Sequence, residues 1–165
     1  MIDIHFSNDH DKRQVGDVMS VLARPRLWIP TNNDYPRHSA WLEKSEAEIT
    51  TGQRRAMLGY VGKIPVGAIV YRQHAQREKT VEIRNISIDP SVHRQLFGSF
   101  MLRQVETDAS QNDYVGANMF SVDTKVTNTG MLDFLERQGY TVTDVIDIYN
   151  DGTGEDAILT KSLIS

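Results

Sequence analysis

The chain contains no cysteine, which excludes disulfides, a thiolate nucleophile and cysteine-rich zinc sites. It has no apolar run of the roughly 18 residues that a membrane span requires. Its first ten residues, MIDIHFSNDH, lack the basic and apolar blocks of a signal peptide. Cations are not in excess. Eighteen Lys and Arg against 22 Asp and Glu leave a net charge of -4, which counts mildly against a dedicated nucleic-acid binder. No Gly-x-x-x-x-Gly-Lys-Ser/Thr run exists, so a P-loop is excluded. Ser39 and Ser87 have no His and Asp pattern beside them, which argues against a hydrolase triad. His5, His10, His38, His74 and His93 are scattered without a metal-binding spacing, and no metal is expected. What remains is a soluble cytoplasmic protein of 165 residues, 39% hydrophobic and 24% charged, read as one domain over 1–165.

The periodicity predicts eleven elements. Residues 2–6 alternate as a strand, and Val15, Val18, Met19 and Leu22 fall on one face of a helix over 11–24 that Pro25 stops. A turn-rich loop then leads to a helix from about Pro36 to Ile49, with Trp41, Ser45 and Ile49 on one side. Residues 55–61 and 64–73 form a hairpin about Gly62-Lys63, and 79–88 form a further strand broken by Asp89-Pro90. A helix over about 95–109, a strand over 114–123 and a helix over 129–138 with Gly139 as its stop come next. In the 95–109 helix, Phe97, Met101 and Val105 line one face, with Leu96 and Phe100 beside them. Strands over 141–149 and 157–163 close the chain. The order β-α-α-β-β-β-α-β-α-β-β describes a mixed α/β (α+β) fold. Its central twisted sheet has about seven strands, mostly antiparallel, and four helices. The crossover from Ile88 to Tyr114 makes those two strands parallel.

One stretch carries chemistry. In ISIDPSVHRQLFGSF, residues 86–100, a strand ends, a polar loop turns and a helix begins. The first amides of a helix have no internal acceptors, and together with the positive end of the dipole they attract an anion. Gly98 permits close approach of backbone, either to a phosphate or to a packed neighbour.

This segment resembles the diphosphate-binding turn of the GNAT superfamily of N-acetyltransferases, whose pattern is Gln/Arg-x-x-Gly-x-Gly/Ala. Here it reads His93-Arg94-Gln95-Leu96-Phe97-Gly98, with the last Gly matched, Leu96 in place of the first Gly and His93 in place of the leading residue. A second family motif, Asn-x-x-Ala-x-x-x-Tyr-Glu-Lys-x-Gly-Phe, is similar to residues 128–140, where Asn128, Glu136, Arg137, Gly139 and Tyr140 agree in type and Leu135 stands at the Tyr. The hairpin over 55–73 also fits the family.

The resemblance implies acetyl-CoA as co-substrate. The amides of His93, Arg94, Gln95, Leu96, Phe97, Gly98 and Ser99 would hold its diphosphate. The pantetheine arm would pair with the main chain of Ile86, Ser87 and Ile88, and Asn128 would also contact the co-substrate. An N–H near Ile86 would polarise the thioester carbonyl. The run Arg72 to Lys79 is most simply a solvated hairpin tip, or else a contact to the adenosine 3'-phosphate or an acidic substrate.

The acceptor is implied to be a primary amine. A lysine-like amine with a pKa of about 10.4 is neutral in only about 1 molecule in 2,500 at pH 7, a handicap of roughly 4.6 kcal/mol. A base must therefore remove its proton. Glu82 is the candidate, six residues before Ile88, the spacing that the histone-acetyltransferase branch uses; pairing with Arg84 or with a cation on a neighbouring strand is its plainer reading. With Leu135 at the usual tyrosine, Tyr140 and Tyr149 are the candidates to protonate the leaving thiolate. Trp28, Asp34 and Tyr35 are the candidates to bind the amine. That amine is a small molecule, a peptide or an aminoacyl-tRNA, with no membrane partner and a homodimer left open. Leu96 and Leu135 also motivate a rival reading, a catalytically degenerate acyl-CoA-binding or regulatory module, and a plain α/β interaction domain needs both motif matches to be chance.

Overall fold

The computed structural model describes residues 3–8, 12–24, 38–93, 96–111, 114–150 and 152–163. The elements are β1 (Ile4–Ser7), α1 (Lys12–Leu22), α2 (His38–Thr50), β2 (Arg55–Val61), β3 (Ile64–Gln73), β4 (Thr80–Ile88), α3 (Phe97–Ser110), β5 (Met119–Lys125), α4 (Thr129–Arg137), β6 (Thr141–Ile146) and β7 (Asp156–Ser162). A 3-10 turn, Pro90–Val92, stands between β4 and α3 where the sequence suggested only a loop. The seven strands are ordered β1-β2-β3-β4-β5-β7-β6. No helix among the described residues is long and apolar enough to cross a membrane.

Two compact units divide the chain. One is built from residues up to Arg72 together with Asn85–Thr107, the other from Gln73–Arg84 together with residues from Asp108 onward. In the first, β2 pairs antiparallel with β1 and with β3. Gly62, at φ +60°, opens the two-residue turn between Val61 and Ile64, a conformation in which glycine costs nothing. Val15, Val18, Val21 and Leu22 of α1 and Ile49 of α2 pack on Ala56, Leu58, Tyr60, Ala68 and Val70, one face of β2 and β3.

In the second unit, β4 and β5 run parallel from Thr80↔Met119 to Ile83↔Val122, as the crossover predicts. β7 lies antiparallel to β5 from Met119↔Ser162 to Lys125↔Asp156. β6 borders β7 alone, exposed at all six residues, with a shift in register between Val142 and Asp144.

Three sequence expectations need correction. β5 starts at Met119 rather than at Tyr114. Gly116, at φ +62°, donates its N–H to Gln111 O, and Ala117 donates to Ala109 O, so this segment folds back on the end of α3. β6 likewise ends at Ile146, because Asp147 turns the chain by accepting from Asn150 N. In α3, Phe97, Met101 and Val105 are buried, whereas Leu96 and Phe100 are 66% and 48% exposed.

Candidate active site

In the first unit, the turn after β4 is fixed by Asp89. Its N–H donates to Val66 O at 2.7 Å, and its carboxylate accepts from Ser91 N and from Arg24 Nη1, each at 2.9 Å. Arg24 also donates to Pro65 O at 2.8 Å. The Ser91 main-chain N–H, and with it the Arg24 guanidinium, holds the Asp89 carboxyl below its ordinary value. The His93 ring turns back, and its Nε2 donates to Ile88 O at 2.8 Å. That nitrogen is therefore committed to the main chain instead of reaching for an anion. Arg94 and Gln95 lie outside the described residues.

Leu96 follows at φ +60°. A side chain with a Cβ pays about 1–2 kcal/mol in the left-handed region, which is why a glycine suits this place in the family pattern. The leucine keeps the glycine-like backbone path, and its side chain points largely into solvent instead of filling the turn. Phe100 N donates to Leu96 O at 3.0 Å, closing the first turn of α3. The amides of Phe97 and Gly98 precede that bond, so the helix offers them no acceptor. At the described residues Leu96, Phe97 and Gly98, the backbone angle and the helix-start amides are compatible with a diphosphate, and the Leu96 side chain does not cover them.

The start of α3 is seated by two glycines that face each other on β2 and β3, Gly59 and Gly67. A Cβ on Gly59 would lie 2.6 Å from Phe97 Cζ and 2.9 Å from Met101 Sδ; one on Gly67 would lie 2.6 Å from Met101 Sδ. The Phe6 ring adds a tilted contact with Phe97 at 5.4 Å. Along β4, the Asp89 N–H faces β3, and N–H directions alternate along a strand. The main-chain groups of Ile86 and Ile88 thus face the opposite edge. Ser87 Oγ donates to Asn85 Oδ1 at 2.9 Å, and the buried Asn85 Nδ2 has no partner among the described residues.

In the second unit, Glu82 projects from β4 with its side chain 18% exposed. Its Oε1 lies 3.3 Å from His74 Nε2, and its Oε2 lies 3.8 Å from Arg84 Nη1. Burial pushes the Asp123 carboxyl above its ordinary value, with Tyr149 and Arg84 opposing and Asp156 and Glu82 reinforcing the shift. The Tyr149 hydroxyl donates to Asp123 Oδ2 at 2.9 Å. Lys125 Nζ bonds Asp156 Oδ2 at 3.0 Å and stands 5.3 Å from the centre of the Tyr149 ring. Glu82, Arg84, Asp123 and Tyr149 thus form one electrostatic cluster. Tyr140 is buried, with Lys161 Nζ 5.6 Å from its ring centre, a packing position. Asn128 caps α4 by accepting from Met131 N at 3.2 Å. Among the described residues no three His, Asp or Glu side chains are placed to hold a metal. Trp28, Asp34 and Tyr35 lie outside the described residues.

Sequence reasoning missed His74, Asp123 and the two seating glycines. The structure brings His74 beside Glu82 because the His74 N–H donates to Thr80 O and Glu82 is two residues further along that strand.

Residues 21–140 match the acetyltransferase (GNAT) family. No curated protein matches the sequence. Many solved structures share the fold, among them the following three. One is a Desulfovibrio desulfuricans protein assigned to the GNAT family, with TM-score 0.78 and 14% identity, covering 98% of this chain and 99% of that one. A second is the PaiA N-acetyltransferase of Thermoplasma acidophilum in complex with coenzyme A, with TM-score 0.72 and 15% identity, covering 97% and 99%. The third is Arabidopsis thaliana Naa50 in complex with the bisubstrate analogue CoA-Ac-MVNAL, with TM-score 0.67 and 19% identity, covering 96% and 98%.

Proposed function

Since the chain belongs to the acetyltransferase (GNAT) family, whose members transfer acetyl groups, we propose that it is an acetyl-CoA-dependent N-acetyltransferase acting on a primary amine. The observation that carries this reading is the Leu96 turn. A leucine held at φ +60° with an exposed side chain supports a glycine-like backbone at this place of the diphosphate pattern. The main-chain N–H groups of Phe97, Gly98 and Ser99 meet the diphosphate, with Arg94 and Gln95 supplying the rest of the loop. The edge of β4 at Ile86 and Ile88 pairs with the pantetheine amides, and the Ile86 N–H donates to the thioester oxygen as negative charge develops there. This role agrees with the alternation that turns the Ile86 main chain away from β3.

Glu82 takes the proton from the acceptor ammonium, directly or through one water. The amine nitrogen then attacks the thioester carbon, a C–N bond forms, the C–S bond breaks with its electron pair leaving on sulfur, and the proton that nitrogen sheds on becoming an amide balances the one the thiolate takes up. Direct attack is the route open to a chain with no cysteine to carry the acetyl group. A thiol pKa near 8.5 makes the departing thiolate tolerable at neutral pH, so the acid needs little strength. Tyr149 suits that task better than the buried Tyr140. Its hydroxyl is held in place by the hydrogen bond it donates to Asp123 Oδ2. The acceptor binds at Trp28, Asp34 and Tyr35. The coenzyme A and bisubstrate complexes of the structural neighbours agree with the co-substrate and with a small or peptide amine.

The rival reading, a binding module without catalysis, draws on Leu135, which is fully buried in α4 where the family pattern carries a tyrosine. Calorimetry with acetyl-CoA and a free-thiol assay over a panel of amines separate the two. Binding with turnover, and a fall in kcat of about 10²–10⁴-fold in Glu82→Gln at unchanged KM for acetyl-CoA, is the expected result. Binding without turnover of any amine identifies the module, and no binding overturns both readings.

A further inference from the structure

The hairpin joining β3 to β4 does more than turn the chain. We infer that His74 is a positioning residue that holds the Glu82 carboxylate for proton abstraction by donating from Nε2 to Oε1. This rests on the proposal that Glu82 is the base.

Two hydrogen bonds place the imidazole. The His74 main-chain N–H donates to Thr80 O at 2.8 Å, closing the hairpin beneath it. The Gln76 N–H donates to His74 Nδ1 at 3.1 Å. An atom that accepts an N–H carries no proton of its own, so the neutral ring bears its hydrogen on Nε2. That nitrogen lies 3.3 Å from Glu82 Oε1, with both side chains more than four-fifths shielded from water. The tautomer is thus dictated by the hairpin backbone, and the donor is aimed before any substrate arrives. An exposed pair of this kind would gain little, but shielding and a preset ring make the bond directional. Arg84 approaches the other oxygen at 3.8 Å. His74 therefore fixes Oε1 and the rotation of the carboxylate that receives the amine proton. The ring takes no proton in this scheme, since protonating Nδ1 would break the bond from Gln76.

The test pairs His74→Phe, which keeps a ring and removes both nitrogens, with His74→Gln. The glutamine amide can still donate to Glu82 and accept from Gln76. Free-thiol release from acetyl-CoA is followed with spermidine, an aminoglycoside and a peptide bearing a free amino terminus. His74→Phe should lower kcat by about 10- to 100-fold with KM for acetyl-CoA unchanged, and His74→Gln should recover most of the loss. Equal kcat in His74→Phe and wild type, with Glu82→Gln strongly impaired, overturns the inference while leaving the base in place. If Glu82→Gln retains full kcat, the base reading fails instead. Long-range ¹H–¹⁵N spectra of histidine-labelled wild-type protein provide a readout independent of turnover. A neutral His74 protonated at Nε2 supports the inference, and one protonated at Nδ1 overturns it.

Discussion

Position 96 shows how a substitution can break a pattern in type and keep it in shape. The leucine there carries a backbone angle, φ +60°, that suits glycine, and its side chain finds little to pack against. Its strain is stored locally at the turn that we assign to the diphosphate. Leu96→Gly should therefore raise the stability of the free protein by about 0.5–1 kcal/mol, the strain relieved less the backbone entropy glycine loses. It should leave the affinity for coenzyme A within a few-fold; denaturant titration and calorimetry read the two. A large loss of affinity would show instead that the leucine side chain holds the ligand. Residue type alone showed the departure from the pattern but not its harmlessness, because a φ angle is set by the closure of the whole turn. Glu82 was more legible, since period-two alternation fixes the face of any strand residue. The partnership with His74 was not, because it depends on how a hairpin tip folds.

Among the elements, α3 depends on what lies under its first turns. Gly59 and Gly67 form a floor on which Phe97 and Met101 rest, and the Phe97 ring has little freedom to retreat. Gly59→Ala should cost about 1–3 kcal/mol by overpacking. It should also weaken coenzyme A binding, because Phe97 and Gly98 belong to the turn that would be displaced. Gly67→Ala should cost less, since its nearest contact is the pliable Met101 sulfur. Thermal unfolding and calorimetry of both variants check the order. In the sequence these glycines read as interruptions of apolar strands, and no local pattern says which helix presses on them. The bounds of β2 and β3 were fully legible, because Gly62-Lys63 fixes the turn, whereas the shift in their register between Gly59 and Tyr60 was not. The start of β5 was not, because the apolar residues before Met119 serve a loop hydrogen-bonded to the end of α3.

For the molecule as a whole, order and class were readable because turn and breaker residues such as Gly62, Asp89-Pro90 and Gly139 separate runs of helical or strand period. The division within β4, between Arg84 and Asn85, has no such marker. Acid titration offers a view of both units through two carboxylates that act in opposite senses. Asp89 is lowered from 3.8, so its stabilising bonds are present above that value and are lost as pH falls through its folded pKa. Asp123 is raised from 3.8, so its protonated form favours the fold and the penalty of its buried charge appears as pH rises through its folded pKa. Asp89→Asn should lower the melting temperature at pH 7 by about 1–4 °C, as expected for a partly exposed ion pair. Asp123→Asn should raise it. Both differences should shrink toward zero well below pH 3.8. A pH-independent difference in either variant would trace the effect to packing instead of charge.

The β6 margin has a practical consequence. A bare strand bearing Val142, Val145 and Ile146 is the kind of surface along which concentrated protein could zip into ribbons. Its own irregularity works against this: the slip beside Asp144 spoils the even spacing that a stacking neighbour would copy, and the carboxylate repels its twin. Solubility is thus guarded by a flaw in the ladder, and straightening that flaw would remove the guard.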